Sequence, residues 1–397
     1  VLMGILVATR IRGKELFSFE FDDSWLRGKL ARSFDPDLQL FKGRQYSPHV
    51  KENFGIFLDS TPDRWGRTLL DRREALRARI ENRAAVPLHE SDYLLGVFDE
   101  SRMGALRFKL SPDGMFLDND KSLSSPPWTS LRDLEFATMQ LEQDTGVKES
   151  KWLRMLIQPG SSLGGARPKA NVIDENGHMW IAKFPSKNDR KDVGAWEAVC
   201  MTLARRCGIC VSDWKVMKLN SNYHTYLSKR FDRLGQDKRL QFISAMTLLG
   251  YTDGTDASTG ASYLEIAEWI MQNCNRVDYN LQELFRRIAF NVAVSNCDDH
   301  LRNHGFIYTG NGYMLSPAYD LTPDEYGTNL KLCINEDDSS LDFDLVLSIA
   351  PYLGIPASQA HYIINHIREC VSRWRHEATC LGITRIEQEL MQNAFRF

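Results

Sequence analysis

Asp298-Asp-His-Leu-Arg-Asn303-His-Gly305-Phe-Ile-Tyr308-Thr-Gly310-Asn-Gly312-Tyr-Met-Leu315-Ser-Pro-Ala-Tyr-Asp320 is the most informative stretch of the chain. Asp298 and Asn303 stand five residues apart, and Asp320 closes the segment. Between them, Gly305–Tyr308 and Gly312–Leu315 predict two short strands that turn through Gly310-Asn311-Gly312. Upstream, Leu281, Leu284, Phe285, Ile288, Ala289 and Val292 recur at helical spacing and predict a core-facing helix over Leu281–Val294. A helix end, a loop and a hairpin can bring oxygen ligands around one phosphate group. Phosphoryl transfer from ATP needs such a set. One carboxylate accepts the proton of the attacking hydroxyl, while a second carboxylate and an amide oxygen hold Mg²⁺ on the phosphates. Asp298 is the candidate base, and Asn303 and Asp320 are the candidate metal ligands.

The residues upstream can supply the rest of that chemistry. Gly160-Ser-Ser162-Leu163-Gly164-Gly165-Ala166-Arg-Pro-Lys169 is a small-residue loop whose backbone N–H groups can approach phosphates. It lacks the G-x4-G-K-[ST] form of a P-loop NTPase. A hairpin follows, with strands expected over Ala170–Ile173 and Met179–Phe184 and a turn at Asn176-Gly177. Lys183 ends its second strand. Glu197, fourteen residues on, lies on a helix expected over Gly194–Arg206 and can pair with it. Strands are expected over Trp214–Leu219 and His224–Phe231, the second ending in Lys229-Arg230-Phe231, where a hinge would frame adenine.

Farther out, strands over Val1–Thr9 and Glu15–Phe21 and an arginine-studded helix over Asp63–Asn82 predict a small α+β unit. Mixed charge on that helix indicates a solvated face, with contact to nucleic acid or a partner protein as the less favoured alternative. The Pro-, Gly- and Ser-rich stretch Ser111–Pro127 marks the first boundary, before helices expected over Leu131–Gln143 and Lys151–Ile157. Two helices are expected to close the chain. One runs over Asp342–Leu353, and the other carries Ile363, Ile367, Val371 and Trp374 on one face.

With 397 residues, 43% hydrophobic and 25% charged, the chain can bury a sizeable core, which excludes disorder and a disulfide scaffold. A net charge of −3 supplies no global attraction to DNA or an anionic membrane. No apolar run is long enough to span a bilayer, and the apolar opening residues, followed by Arg10 and Arg12, predict a strand and not a signal peptide. Eight scattered cysteines fit reduced thiols in a cytoplasmic protein, with a metal or redox role for Cys207-Gly-Ile-Cys210 the minor alternative.

The chain resembles the HipA family, the kinase half of bacterial type II toxin–antitoxin modules. The resemblance rests on Leu94-Leu-Gly-Val97, Gly104-Ala-Leu-Arg-Phe108, Ser162-Leu-Gly-Gly-Ala-Arg-Pro-Lys169 and Lys229-Arg-Phe-Asp-Arg233. Most specific in combination are Asp298-Asp-His-Leu-Arg-Asn303 and Ser316-Pro-Ala-Tyr-Asp-Leu-Thr-Pro323. It implies an α+β, bilobal protein-kinase-like fold with a small β-rich lobe and a larger α-helical lobe. An additional N-terminal α+β subdomain would occupy residues 1–127, the lobes 128–232 and 233–397. It further implies Asp298 as catalytic base and Asn303 and Asp320 on Mg²⁺. Lys183 would lie on the ATP phosphates in an ion pair with Glu197, with Lys229, Arg230 and Phe231 at the adenine. Ser162, Leu163, Gly164, Gly165, Ala166, Lys169, His300 and Arg302 complete the implied ATP contacts. Ser162 is also an implied autophosphorylation site that switches the kinase off. The implied substrate is a serine or threonine hydroxyl on a protein, with aminoacyl-tRNA synthetases as target class. The implied partner is a small DNA-binding HipB-like antitoxin, through which operator DNA is contacted, with no membrane partner. The chain departs from some members in a shorter loop-to-Lys183 hairpin and in Asp299, where a small neutral residue can stand.

Two other functions compete. A metal-dependent hydrolase would use Asp298, His300 and His304, although Gly305 interrupts any helix that would put both histidines on one face. A catalytically silent kinase-like co-repressor would only bind the DNA-binding antitoxin, although every candidate ligand is retained.

Overall fold

Residues 1–117, 125–143, 155–156, 165, 167–235 and 238–397 are described by a computed structural model. They divide into two units, Val1–Ile181 with Met246–Thr252, and Ala182–Ala245 with Asp253–Phe397.

The first unit opens with strands β1 (Gly4–Ile11) and β2 (Lys14–Phe21), antiparallel from Gly4↔Phe21 to Ile11↔Lys14. The expected charged turn over Arg10–Lys14 shrinks to Arg12-Gly13, both at positive φ, which matches the twist of paired strands. Alternation along β2 turns Phe17, Phe19 and Phe21 inward, each burial worth roughly 2–3 kcal/mol. Strand β3 (Gln45–Tyr46) pairs with β2. Helix α1 (Arg64–Ile80) is capped by Asp63, whose Oδ1 accepts from Gly66 N at 2.7 Å. It buries Trp65, Leu69, Leu70 and Ala78. Its arginines meet acids: Arg67 pairs with Glu90, Arg77 with Glu81, and nearby Arg83 with Glu74. The face is laced with ion pairs and is not a bare basic strip. Arg72 donates to the Leu141 carbonyl at the end of α2 (Leu131–Glu142).

Buried Arg102 explains one of the N-terminal motifs. Its guanidinium donates to the carbonyls of Ser60, Leu94 and Val97, satisfying backbone that Leu94-Leu-Gly-Val97 takes inside. Gly55 faces Thr247, and even a Cβ there would come within 2.8 Å of the threonine side chain. β4 (Lys169–Ile173) and β5 (Met179–Lys183) are joined by a turn in which Asp174 Oδ1 accepts from Asn176 N and His178 N. Of the expected helix over Lys151–Ile157, only 155–156 are described, and they are helical.

In the second unit, helix α3 (Val193–Arg206) starts at cap Asp192 and is buried along most of its length. It lies against β7 (His224–Lys229), which pairs with β6 (Trp214–Lys218). Gly194 permits that approach, since a Cβ there would overlap the His224 carbonyl. A hairpin of β8 (Arg233–Leu234) and β9 (Lys238–Arg239) follows. Strand β10 (Phe242–Ser244) pairs with β11 (Gly305–Tyr308), which pairs with β12 (Tyr313–Leu315).

Helix α4 (Tyr263–Asn273) carries a capping box from Ser262 and Glu265. Helix α5 (Val277–Val294) begins four residues before the apolar stripe that predicts it. Downstream, the helix expected over Asp342–Leu353 is two pieces. α6 (Phe343–Ile349) gives way at Pro351 to a 3₁₀ turn over Ala350–Leu353, because proline lacks the N–H that would continue it. The final expected helix also divides. α7 (Ala357–Val371) ends, and Trp374 opens α8 (Trp374–Cys380), followed by α9 (Arg385–Leu390). Among the described residues, no helix is long and apolar enough to cross a membrane.

Candidate active site

Helix α5 is buried almost all round, and its polar residues organise the site. Asn280, Glu283, Arg287 and Asn291 are each 3% exposed or less and fall at i, i+3, i+7 and i+11, a single face. Asn280 Oδ1 accepts from Leu315 N at 2.9 Å. Arg287, paired with Glu283 at 2.8 Å, donates to the Ser316 carbonyl at 2.6 Å. These bonds hold the end of β12, from which the chain runs to Asp320. Asn296, just beyond α5, donates to Asn291 Oδ1 at 3.0 Å.

Asp298 stands in the turn after α5. It is exposed, and its carboxylate takes no hydrogen bond or ion pair from a described residue. Asn303 ends a 3₁₀ turn over Leu301–Asn303, and its Nδ2 donates to the Asp298 carbonyl at 3.1 Å. That bond commits the amide nitrogen and leaves Oδ1 as the ligating end. Asp320 lies beyond the hairpin at φ +56°, a left-handed backbone that aspartate tolerates better than most residues.

Lys183 joins two of these pieces. Its Nζ lies 2.6 Å from Glu197 Oε1 and also contacts Asp320 Oδ1. Burial works against its charge, but the carboxylates of Asp320 and Glu197 outweigh that and hold its pKa above the ordinary lysine range. The lysine is therefore a fixed cation between two acids.

Asp299 is buried. Its Oδ2 accepts from Tyr263 OH (2.6 Å), Asn291 Nδ2 (2.6 Å) and His304 Nε2 (2.8 Å). Burial pushes its pKa up, but His304, Tyr263 and His300 more than offset that and hold the carboxyl below the usual range. His304, 2% exposed, is thus committed to Asp299 inside the core and offers no open face shared with His300. Among the described residues, no three His, Cys, Asp or Glu side chains are placed to hold a metal together. The hydrolase arrangement of Asp298, His300 and His304 is not formed.

At the expected adenine side, β7 ends at Lys229, and Arg230 and Phe231 follow it. The Phe231 ring stacks on Tyr319 at 5.8 Å and 25°, and Tyr319 OH donates to the Arg302 carbonyl at 2.6 Å. Arg230 is buried against Asp232, so its guanidinium braces the bend. Arg302 Nε lies 3.6 Å from Asp253. Ser162, Leu163, Gly164 and Ala166 lie outside the described residues. Lys169, in the first unit, is buried with its Nζ 2.8 Å from Asp63 Oδ2, and Gly165 lies beside it.

Sequence patterning underrated Asp299, Asn291 and Tyr263. A usable signal existed for Asn291 alone, which lies on a second, polar stripe of α5 at the same helical period as the apolar one.

The family model of the HipA-like C-terminal domain matches residues 161–374, more than half of the chain. A putative kinase of Haemophilus influenzae is 29% identical over 181 residues, 41% of this chain and 52% of that protein. Toxin YjjJ of Escherichia coli is 26% identical over 212 residues, 50% of this chain and 46% of the toxin. The chain thus spans about half the length of these curated relatives. The structure of HipA from Shewanella oneidensis, solved with HipB and operator DNA, aligns with a TM-score of 0.68 at 17% identity. That alignment covers 99% of this chain and 92% of HipA, and shows the fold to be α+β and kinase-like.

Proposed function

The chain belongs to the HipA family through its HipA-like C-terminal domain, and on that premise we propose that it is an ATP- and Mg²⁺-dependent serine/threonine-protein kinase, the toxin of a HipBA-like module. The observation that carries this is Lys183 meeting both Glu197 and Asp320, residues 14 and 137 positions away in sequence. A lysine fixed between two carboxylates fits a site that handles a polyphosphate and its metal.

Asn303 and Asp320 would hold Mg²⁺. The fit is good, because the Asn303 oxygen is the uncommitted end of its amide and Asp320 supplies a carboxylate beside Lys183. When bound, Mg²⁺ would neutralise charge on the phosphates. Asp298 accepts the proton of the attacking hydroxyl, a role open to an exposed carboxylate with no competing donor among the described residues. Lys183, kept protonated, donates to phosphate oxygens and is oriented by Glu197. Lys229, Arg230 and Phe231 frame adenine, chiefly through backbone and the Phe231 ring, while His300 and Arg302 border the nucleotide. Gly164, Gly165 and their neighbours cover the phosphates. Phosphorylation of Ser162 would turn the enzyme off, since a group carrying roughly −1.5 to −2 charge cannot share a loop with ATP phosphates.

The same premise assigns the substrate to protein hydroxyls, with aminoacyl-tRNA synthetases the favoured class. It makes a HipB-like antitoxin the partner, operator DNA a ligand of that complex and the cytoplasm the setting. Residues 1–127, 128–232 and 233–397 would serve as the N-terminal subdomain, nucleotide lobe and catalytic lobe.

The test is incubation of the purified chain with Mg²⁺ and γ-labelled ATP, alone and with cell extract, with labelled proteins identified by mass spectrometry. Label is expected on Ser162 and on at least one extract protein. Absence of label in both incubations overturns the kinase assignment.

A further inference from the structure

We infer that Asp299 is a positioning residue for phosphoryl transfer, fixing the loop that carries both Asp298 and Asn303. The inference deepens the kinase reading and rests on it. Among the described residues the Asp298 carboxylate has no hydrogen-bond or ion-pair partner, so none of them determines where it points. Its neighbour is held from three elements at once: by Tyr263 at the start of α4, by Asn291 on α5 and by His304 at the entry to β11. All three donors converge on one oxygen. The loop between these anchors is short and internally bonded. His300 N donates to the Asp298 carbonyl at 2.9 Å, Asn303 N to the His300 carbonyl at 2.8 Å, and Asn303 Nδ2 to the Asp298 carbonyl at 3.1 Å. The far end is tied as well, because Ala245 N of the segment following β10 donates to the His304 carbonyl at 2.7 Å. The edge of the Tyr263 ring meets the His304 ring at 5.6 Å and 87°, which adds packing to the same junction.

The chemical consequence follows from the asymmetry of loop and anchor. A carboxylate accepts from every direction, whereas an amide in its place offers one accepting atom and two N–H groups. With Asp299→Asn, the amide oxygen can take the Oδ2 place but carries no full charge, and an NH₂ group replaces Oδ1 in a buried site, so all three bonds weaken and the loop is held less firmly. Asp298 moves with its neighbour, and a displacement near 1 Å at a reacting group can lower a rate by about 10²-fold. Lys183 and the Lys229–Phe231 segment lie outside this loop, so affinity for ADP measured without Mg²⁺ should fall far less than the rate.

The experiment uses the full chain and two variants, Asp299→Asn and Tyr263→Phe. Three quantities are measured on each: the initial rate of autophosphorylation with labelled Mg–ATP, the affinity for ADP without Mg²⁺ by equilibrium dialysis, and the unfolding midpoint in urea. For Asp299→Asn the expected result is a rate at least 30-fold lower per folded molecule, with ADP affinity within twofold. For Tyr263→Phe, which removes one hydroxyl and keeps the ring, about a threefold lower rate is expected. Rates within twofold of the parent in the folded variants would overturn the positioning role, even if stability fell, and would leave the kinase reading standing. Should Asp299→Asn not fold, an unchanged rate in Tyr263→Phe is enough to reject it. A parent chain that binds ADP but transfers no phosphoryl group defeats the kinase reading itself, and the inference with it.

Discussion

At Asp298 a carboxylate stands exposed and without a partner among the described residues, while its neighbour is buried and triply bonded. The contrast separates two duties, reacting and being held, onto adjacent residues. Asp298→Asn should lower phosphoryl transfer by at least about 10²-fold, because the base is lost. ADP affinity, measured by equilibrium dialysis, should stay within twofold. Glu197→Gln should act differently. Removing one of the two charges beside Lys183 loosens the lysine, so KM for ATP should rise severalfold in steady-state kinetics. The approach of Lys183 to Glu197 could be inferred from strand and helix order, since both ends were marked by sequence. The anchoring of Asp299 could not, because an acid beside a turn has the same appearance whether it is dissolved in water or enclosed by three donors.

Element by element, α5 is the beam on which the site is mounted. Its apolar stripe was plain from the sequence, and its start four residues earlier was not, because Val277–Asn280 add little to the apolar pattern. Arg287→Met should remove the brace on the Ser316 carbonyl and strand Glu283 without its cation. Breaking such a buried pair costs about 3–5 kcal/mol, readable as a lowered urea midpoint. On α3, Gly194→Ala should push the helix off β7 and destabilise by about 1–3 kcal/mol, the range for overpacking, with a lower thermal midpoint as the readout. Close approach of this kind is invisible to periodicity, which registers a glycine only as a weak helix former. The split of the closing helices at Pro351 and after Val371 shows the opposite weakness. A continuous apolar stripe can pass through a break in the backbone, as Val371 and Trp374 do on successive helices.

For the molecule as a whole, acid should help in one place. Asp35 in the first unit is 1% exposed, and burial pushes its carboxyl up to about 6. The folded chain then binds that proton more tightly than the unfolded chain. Its contribution is complete below about pH 4 and is lost as pH rises through 6, up to about 3 kcal/mol. The stability of the parent relative to Asp35→Asn, compared by urea unfolding, should therefore increase as pH falls from 7 to 5. Sequence order alone disclosed the broad plan of strands first and helices later, but not the short strands β8, β9 and β10, whose two or three residues are too few to show alternation. Connectivity adds a final point. Met246–Thr252 returns to the first unit, with Thr247 against Gly55, while the residues on both sides of it belong to the second. No single cut in the gene can release either half intact. A cut near residue 181 would deprive the first unit of Met246–Thr252, so a fragment ending there lacks the residue that Gly55 packs against.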